Sequence, residues 1–217
     1  MDAQDIYRWL TGGAANGSCD GFDAHVVAAI VSLGMIEAQS ERRPIVEAVG
    51  LSGAELAALI RKTFPHAGKM FDRLAEDHLA ELSEDEVCLR DLLRRSATDA
   101  SDLQRRLAQM VARRSMRPNH LWQDLGLRNR RELSWLMARH FEPLASRNRQ
   151  DMKWKKFLYR MICRDEGYRL CSVPVCSDCD DFELCFGDES GESLLARSRQ
   201  SSTPRLRHLR IVSSLRV

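Results

Sequence analysis

The chain has 217 residues, 44% hydrophobic and 29% charged, which suffices for one buried core. Its 33 Lys and Arg stand against 31 Asp and Glu for a formal net charge of +2, so bulk charge announces neither a nucleic-acid nor a membrane partner. No apolar run is read as long enough for a membrane span, and the N-terminus has neither the basic start nor the apolar core of a secretory signal. The expected compartment is therefore cytoplasmic, where thiols stay reduced and the 7 cysteines, an odd number, read as metal ligands before disulfides.

In chain order, residues 1–21 read as a flexible lead-in. The glycines at 12, 13, 17 and 21 lack the Gly-Lys-Ser/Thr ending of a phosphate cradle, and Cys19 reads as a bystander. From Phe22 to about Gln39 an apolar, alanine-rich pattern predicts a largely buried helix. Pro44 suits the first turn of a short one. Ser52 with Glu55 forms a capping box ahead of Leu56, Leu59 and Ile60, and Pro65 stops that helix. Ser83 with Glu86 repeats the device before Leu89, Leu92 and Leu93. A helix over 101–115 carries Leu103, Leu107, Met110 and Val111 at helical spacing. A short helix over 119–125 closes at Gly126, and Asn129 with Glu132 caps the next, which carries Leu133, Leu136, Met137 and Phe141.

Asp151 is expected to cap a last helix from Met152 to about Glu166, with Gly167 as its stop. At 100° per residue, Trp154, Phe157, Leu158, Met161 and Ile162 fall on one arc, with Cys163 among the basic residues outside it. Trp122, Trp135 and Trp154 read as core anchors. Strand signals are almost missing. The fold class is all-α, with six to eight helices in one helical body over 22–167.

A cysteine-rich loop over 168–192 follows, then an Arg/Ser-rich tail over 193–217 that reads as poorly ordered. Within the loop, Cys171, Cys176, Cys179 and Cys185 stand in a C-x4-C-x2-C-x5-C run. Four thiols so close are soft donors that select zinc or an iron-sulfur cluster, and no regular helix or strand points them all at one centre. The segment is thus expected to be irregular and ordered by its metal. The opening C-x4-C-x2-C matches a plant-type two-iron pattern, whereas structural zinc favours paired short hooks further apart; spacing leaves both open. The surrounding acids repel a free oxyanion, so if an anion must approach, the bases of 153–164 or of 105–131 are its expected first contact.

With these residues on the page, the chain resembles the NifQ family of nitrogen fixation. The likeness rests on NHLWQDLGL at 119–127, on Glu132, Leu136, His140, Leu144 and Asn148 in their spacing, on DMKWKKFLYRMIC at 151–163, and on the cysteine run into Gly187. The resemblance implies an iron-sulfur carrier that acquires molybdenum as a Mo-Fe-S cluster. The carrier gives the cluster to the assembly proteins that make the iron-molybdenum cofactor of nitrogenase. Such a protein is a donor rather than a turnover enzyme. It also implies that Cys171, Cys176, Cys179 and Cys185 carry the cluster motif and that Cys163 matches a further family cysteine. The Arg-rich tail has no counterpart in the resemblance. Further metal candidates are Cys163, His120 and His140, each with a plainer reading: an idle thiol for the first, capping or half-buried imidazoles for the others. The alternative function is a zinc-stabilised helical module whose Arg105 to Arg131 run meets nucleic acid or an acidic protein. No aromatic platform accompanies that run, so the expected partners exclude nucleic acid.

Overall fold

The structure, a computed structural model, describes residues 2–12, 20–165, 185 and 188–196. Among these residues all regular structure is helical, as the sequence predicts. The helices are α1 Ala3–Gly12, α2 Gly21–Glu41, α3 Ile45–Val49, α4 Gly53–Thr63, α5 Gly68–Phe71, α6 Glu84–Arg95, α7 Asp102–Ser115, α8 Leu121–Asp124, α9 Arg130–His140, α10 Glu142–Ala145 and α11 Trp154–Asp165. Several are single turns, which is why they outnumber the six to eight expected.

The core forms around α2, whose residues from Val26 to Val31 are fully buried. Its composition and length match those of a membrane span, contrary to the expectation that no run comes close. The apolar surface is instead covered by protein, with α1 along one side and α3 and the α8 turn along another. Gly34 allows the α3 approach: a Cβ there would lie 2.6 Å from Val49 Cγ2. Gly126, at φ +74°, ends the α8 turn against Ala29 and Leu33, a conformation and a contact that both exclude a side chain.

Two expectations about boundaries are corrected. Residues 3–12 are not a flexible lead-in but a helix whose Ala3, Ile6 and Leu10 are buried, because three apolar residues at helical spacing gain by covering α2. Asp151 is not a helix cap. It sits at φ +53° with its carboxylate on Arg130, and α11 begins three residues later.

The Ser52 and Glu55 capping box is present in full. At α6, Ser83 accepts from the Glu86 N–H, but the Glu86 carboxylate turns inward to Arg90 and Arg113. That choice satisfies a buried acid with two guanidiniums instead of one backbone N–H.

Four helices are joined by alternating charge. Arg114 of α7, with no exposed surface, donates to both Glu37 carboxylate oxygens on α2 and through Nε to the Asp124 carbonyl. The Asp124 carboxylate of α8 then takes Asn119 Nδ2 at 3.0 Å and Lys155 Nζ of α11 at 2.5 Å. Burial pushes the Lys155 ammonium below its ordinary value, although Asp124 pulls the other way. The chain of charges fixes α11 against the body.

Candidate metal centre

α11 positions the site. Trp154, Phe157, Leu158, Met161 and Ile162 all face the core, as their shared arc predicts, so the rotation of the helix is set. Cys163 lies half-buried in its last turn. At the opposite end, the Lys153 N–H donates to the Cys185 carbonyl at 2.8 Å, and Cys185 packs against the core. Ten residues separate Lys153 from Cys163, roughly 15 Å of helical rise. The two described cysteines of the candidate set therefore mark opposite ends of α11. Cys171, Cys176 and Cys179 lie outside the described residues, as do Cys19, Gly167 and the tail from 197 onward. Among the described residues no three His, Cys, Asp or Glu side chains gather as a metal-binding group.

The chain just past Cys185 is strapped to the body. Glu189, its side chain 5% exposed, takes His120 Nδ1 at 3.2 Å and the Arg130 guanidinium. The Glu192 carbonyl accepts from Gln123 Nε2 at 3.0 Å, and Leu195 packs on Ala3, Ala29 and Leu33. His120 is thus brought beside the exit from the cysteine run. Burial, with the Lys153 and Lys155 ammoniums, holds its imidazole below the ordinary histidine range despite the opposing pull of the Asp124 carboxylate. Lost hydration and cationic neighbours outweigh that one carboxylate, which Lys155 already engages. A neutral ring that gives its Nδ1 proton to a carboxylate keeps a lone pair on Nε2, the arrangement of an oriented histidine ligand.

His140 is placed elsewhere. It lies at the far end of α9 from Arg130, about 15 Å along the helix. It is 4% exposed and its Nε2 meets Asp23 Oδ1 at 2.9 Å, with Arg139 on the same carboxylate. The two histidines are not brought together.

Three placements were not legible in sequence. Trp135 is 54% exposed rather than a core anchor, because Leu133, Leu136 and Met137 take the inward face of α9 and leave position 135 outside, edge-on to Phe22. Glu189 reads only as one more acid in an acidic block. The Arg105 to Arg131 run is not a free basic surface. Arg113, Arg114, Arg117, Arg128 and Arg130 each engage carboxylates of the fold. Apart from the i,i+4 pair Arg128 and Glu132, nothing local in the sequence marks these pairings, since the other partners are remote along the chain.

A protein-family model described as NifQ matches residues 26–187, most of the chain and the whole of the cysteine run. The chain belongs to the NifQ family. It is 41% identical over 172 residues to "Protein NifQ homolog" of Sinorhizobium fredii (strain NBRC 101917 / NGR234), a match covering 79% of this chain and 75% of the relative. It is 38% identical to "Protein NifQ" of Rhodobacter capsulatus, across 76% of this chain and 91% of the relative. With "Protein NifQ" of Azotobacter vinelandii the identity is 36%, across 65% and 78%. No solved structure matches the chain. The helical body and the strapped exit of the cysteine run are thus features of a NifQ chain.

Proposed function

We propose that this NifQ chain is an iron-sulfur carrier that takes up molybdenum in a Mo-Fe-S cluster and donates it for iron-molybdenum cofactor biosynthesis. Membership of the family implies a role in nitrogen fixation and in that biosynthesis. The observation that carries the finer reading is the span of the family match: residues 26–187 take in Cys163, Cys171, Cys176, Cys179 and Cys185 and stop before the Arg-rich tail.

The donor set suits the cargo. Four thiolates are the ligands that iron-sulfur clusters take, and an imidazole would add a harder nitrogen donor. In this reading Cys171, Cys176, Cys179 and Cys185 hold the cluster, while His120, on the Glu189 strap, and Cys163, in the last turn of α11, are further donors. His140, fastened to Asp23, serves the body. The strap through Glu189 keeps Cys185 against the fold, so a cluster held by it is anchored on one side. Delivery can then start at the remaining ligands, and Cys185 lets go last, as ligands of the receiving protein replace the thiolates. The chain works as a donor rather than a turnover enzyme. Its partners are the cofactor assembly proteins and a molybdenum source, in the cytoplasm.

The test is anaerobic isolation with and without molybdate, followed by iron, sulfide and molybdenum analysis and electron paramagnetic resonance. A brown protein with bound sulfide and a molybdate-dependent spectral change is expected. A colourless, natively metallated protein with stoichiometric zinc overturns the proposal in favour of a zinc-stabilised module.

A further inference from the structure

The loop between α10 and α11, with one face of α11, borders a half-open cavity of about 330 Å³. Among the described residues its lining includes Arg147, Arg149 and Arg160 and no acidic residue, over a floor of Met152 and Phe157. Arg147 and Arg149 carry no carboxylate partner among the described residues. That sets them apart from Arg113, Arg114, Arg117, Arg128 and Arg130, which are neutralised in place. The nearest acid in sequence, Asp151, is withdrawn: Arg130 holds its carboxylate and its carbonyl. The Asn148 side chain closes the loop by accepting from the Met152 N–H and donating to the Met152 carbonyl, both at 2.9 Å, so the arginines project from a fixed turn.

We infer that this cavity is a binding site for a small tetrahedral dianion, the form in which molybdate exists in neutral water. Guanidinium forks pair with tetrahedral oxyanions through parallel N–H donors, and two of them on one turn can grip a single anion together. The volume leaves room for the anion and part of its hydration. The position fits a staging site. On α11 the lining residues are Phe157, Arg160 and Met161, between the Lys153 contact that holds Cys185 and the turn that carries Cys163. An oxyanion repelled by the acids of the cysteine run has here a cationic cavity on the same helix. This assignment rests on the carrier reading above for its molybdate source, but the pocket is tested separately from the cluster.

The experiment is equilibrium dialysis of the full chain, isolated anaerobically, against molybdate, with iron and sulfide per chain measured in parallel. Tungstate, sulfate and phosphate serve as competitors. Reversible molybdate binding is expected, and the doubly substituted Arg147→Gln, Arg149→Gln chain should bind at least tenfold more weakly with iron and sulfide unchanged. An Arg147→Lys, Arg149→Lys chain should recover only part of the loss, since ammonium keeps the charge without the fork. Displacement by tungstate alone identifies molybdate as the ligand. Equal displacement by sulfate and phosphate supports the pocket as a general dianion site. Molybdate binding that is unchanged in the Gln variant, or absent from the parent chain, overturns the inference. Missing iron and sulfide would instead defeat the carrier reading and leave the pocket result standing.

Discussion

At the Asp23 end of α9, His140 is enclosed on all sides and its carboxylate partner comes from α2, inside the body. At the Arg130 end, His120 is a third exposed, and its carboxylate partner comes from the strap that follows Cys185. Both rings occupy helix ends and both meet an acid. The difference lies in where the acid comes from: one belongs to the packed core, the other to the segment that leaves the cysteine run. The first acid binds the body to itself, whereas the second couples that run to the body. A carboxylate partner by itself therefore says little about a histidine's task until the partner's own anchorage is known.

The contrast between body and strap breaks first at its strongest point. Arg114→Leu leaves Glu37 and the Asp124 carbonyl without their buried donor and should cost about 3–5 kcal/mol in chemical denaturation. Trp154→Ala empties a core position on α11 and should cost a similar 3–5 kcal/mol or so. If Glu189→Ala were as damaging as either, the strap would have to be counted as part of the core. His140→Ala strips Asp23 of its buried ring and should destabilise by about 2 kcal/mol without altering metal content, whereas metal lost with the fold intact would move His140 into the site.

Acid sharpens the contrast next. Burial raises the Glu132 carboxyl, but hydrogen bonds from the Arg128 N–H and from His25 outweigh it and hold the group below the usual 4.5. Because the unfolded chain then binds the proton more readily, the stability from Glu132 is complete above 4.5 and drains away as pH falls through the lower folded value. Glu132→Gln should flatten the stability profile between about pH 5 and 3, and a profile that keeps its slope would assign the acid loss to other carboxyls. His120 titrates higher. Its folded value lies below 6.5, so the unfolded chain takes up its proton first, and stability should decline as pH falls below 6.5. In His120→Ala that slope should vanish.

The smallest effect belongs to Trp135→Ala. With 54% of the side chain in solvent, the change should stay within about 0.5 kcal/mol by thermal denaturation. A large loss of activity in cofactor assembly with normal stability would mark Trp135 as a partner contact.

Much of the architecture was legible before any coordinate. The helix over Gly53–Thr63 announces itself through Ser52 and Glu55, and the inward arc of α11 through its apolar spacing. Failures cluster where a local rule met a remote competitor. Glu86 had the sequence of a capping partner and was captured by Arg113 of α7. Asp151 had the place of a cap and was captured by Arg130 of α9. Of the candidate site, five cysteines and two histidines were readable as residue types, but only coordinates distinguish the exit-side His120 from the core-side His140.

Sequence alone determined the helical class, the apolar faces and the thiol spacing, because each depends on residues within a few turns of one another. Tertiary structure alone decided which charges meet. Arg114 finds Glu37 77 residues away, and Lys155 finds Asp124 31 residues away. Periodicity carries no record of such a choice: a charge excluded from water takes whichever opposite charge or carbonyl the packed helices deliver to it, and that depends on the whole fold at once.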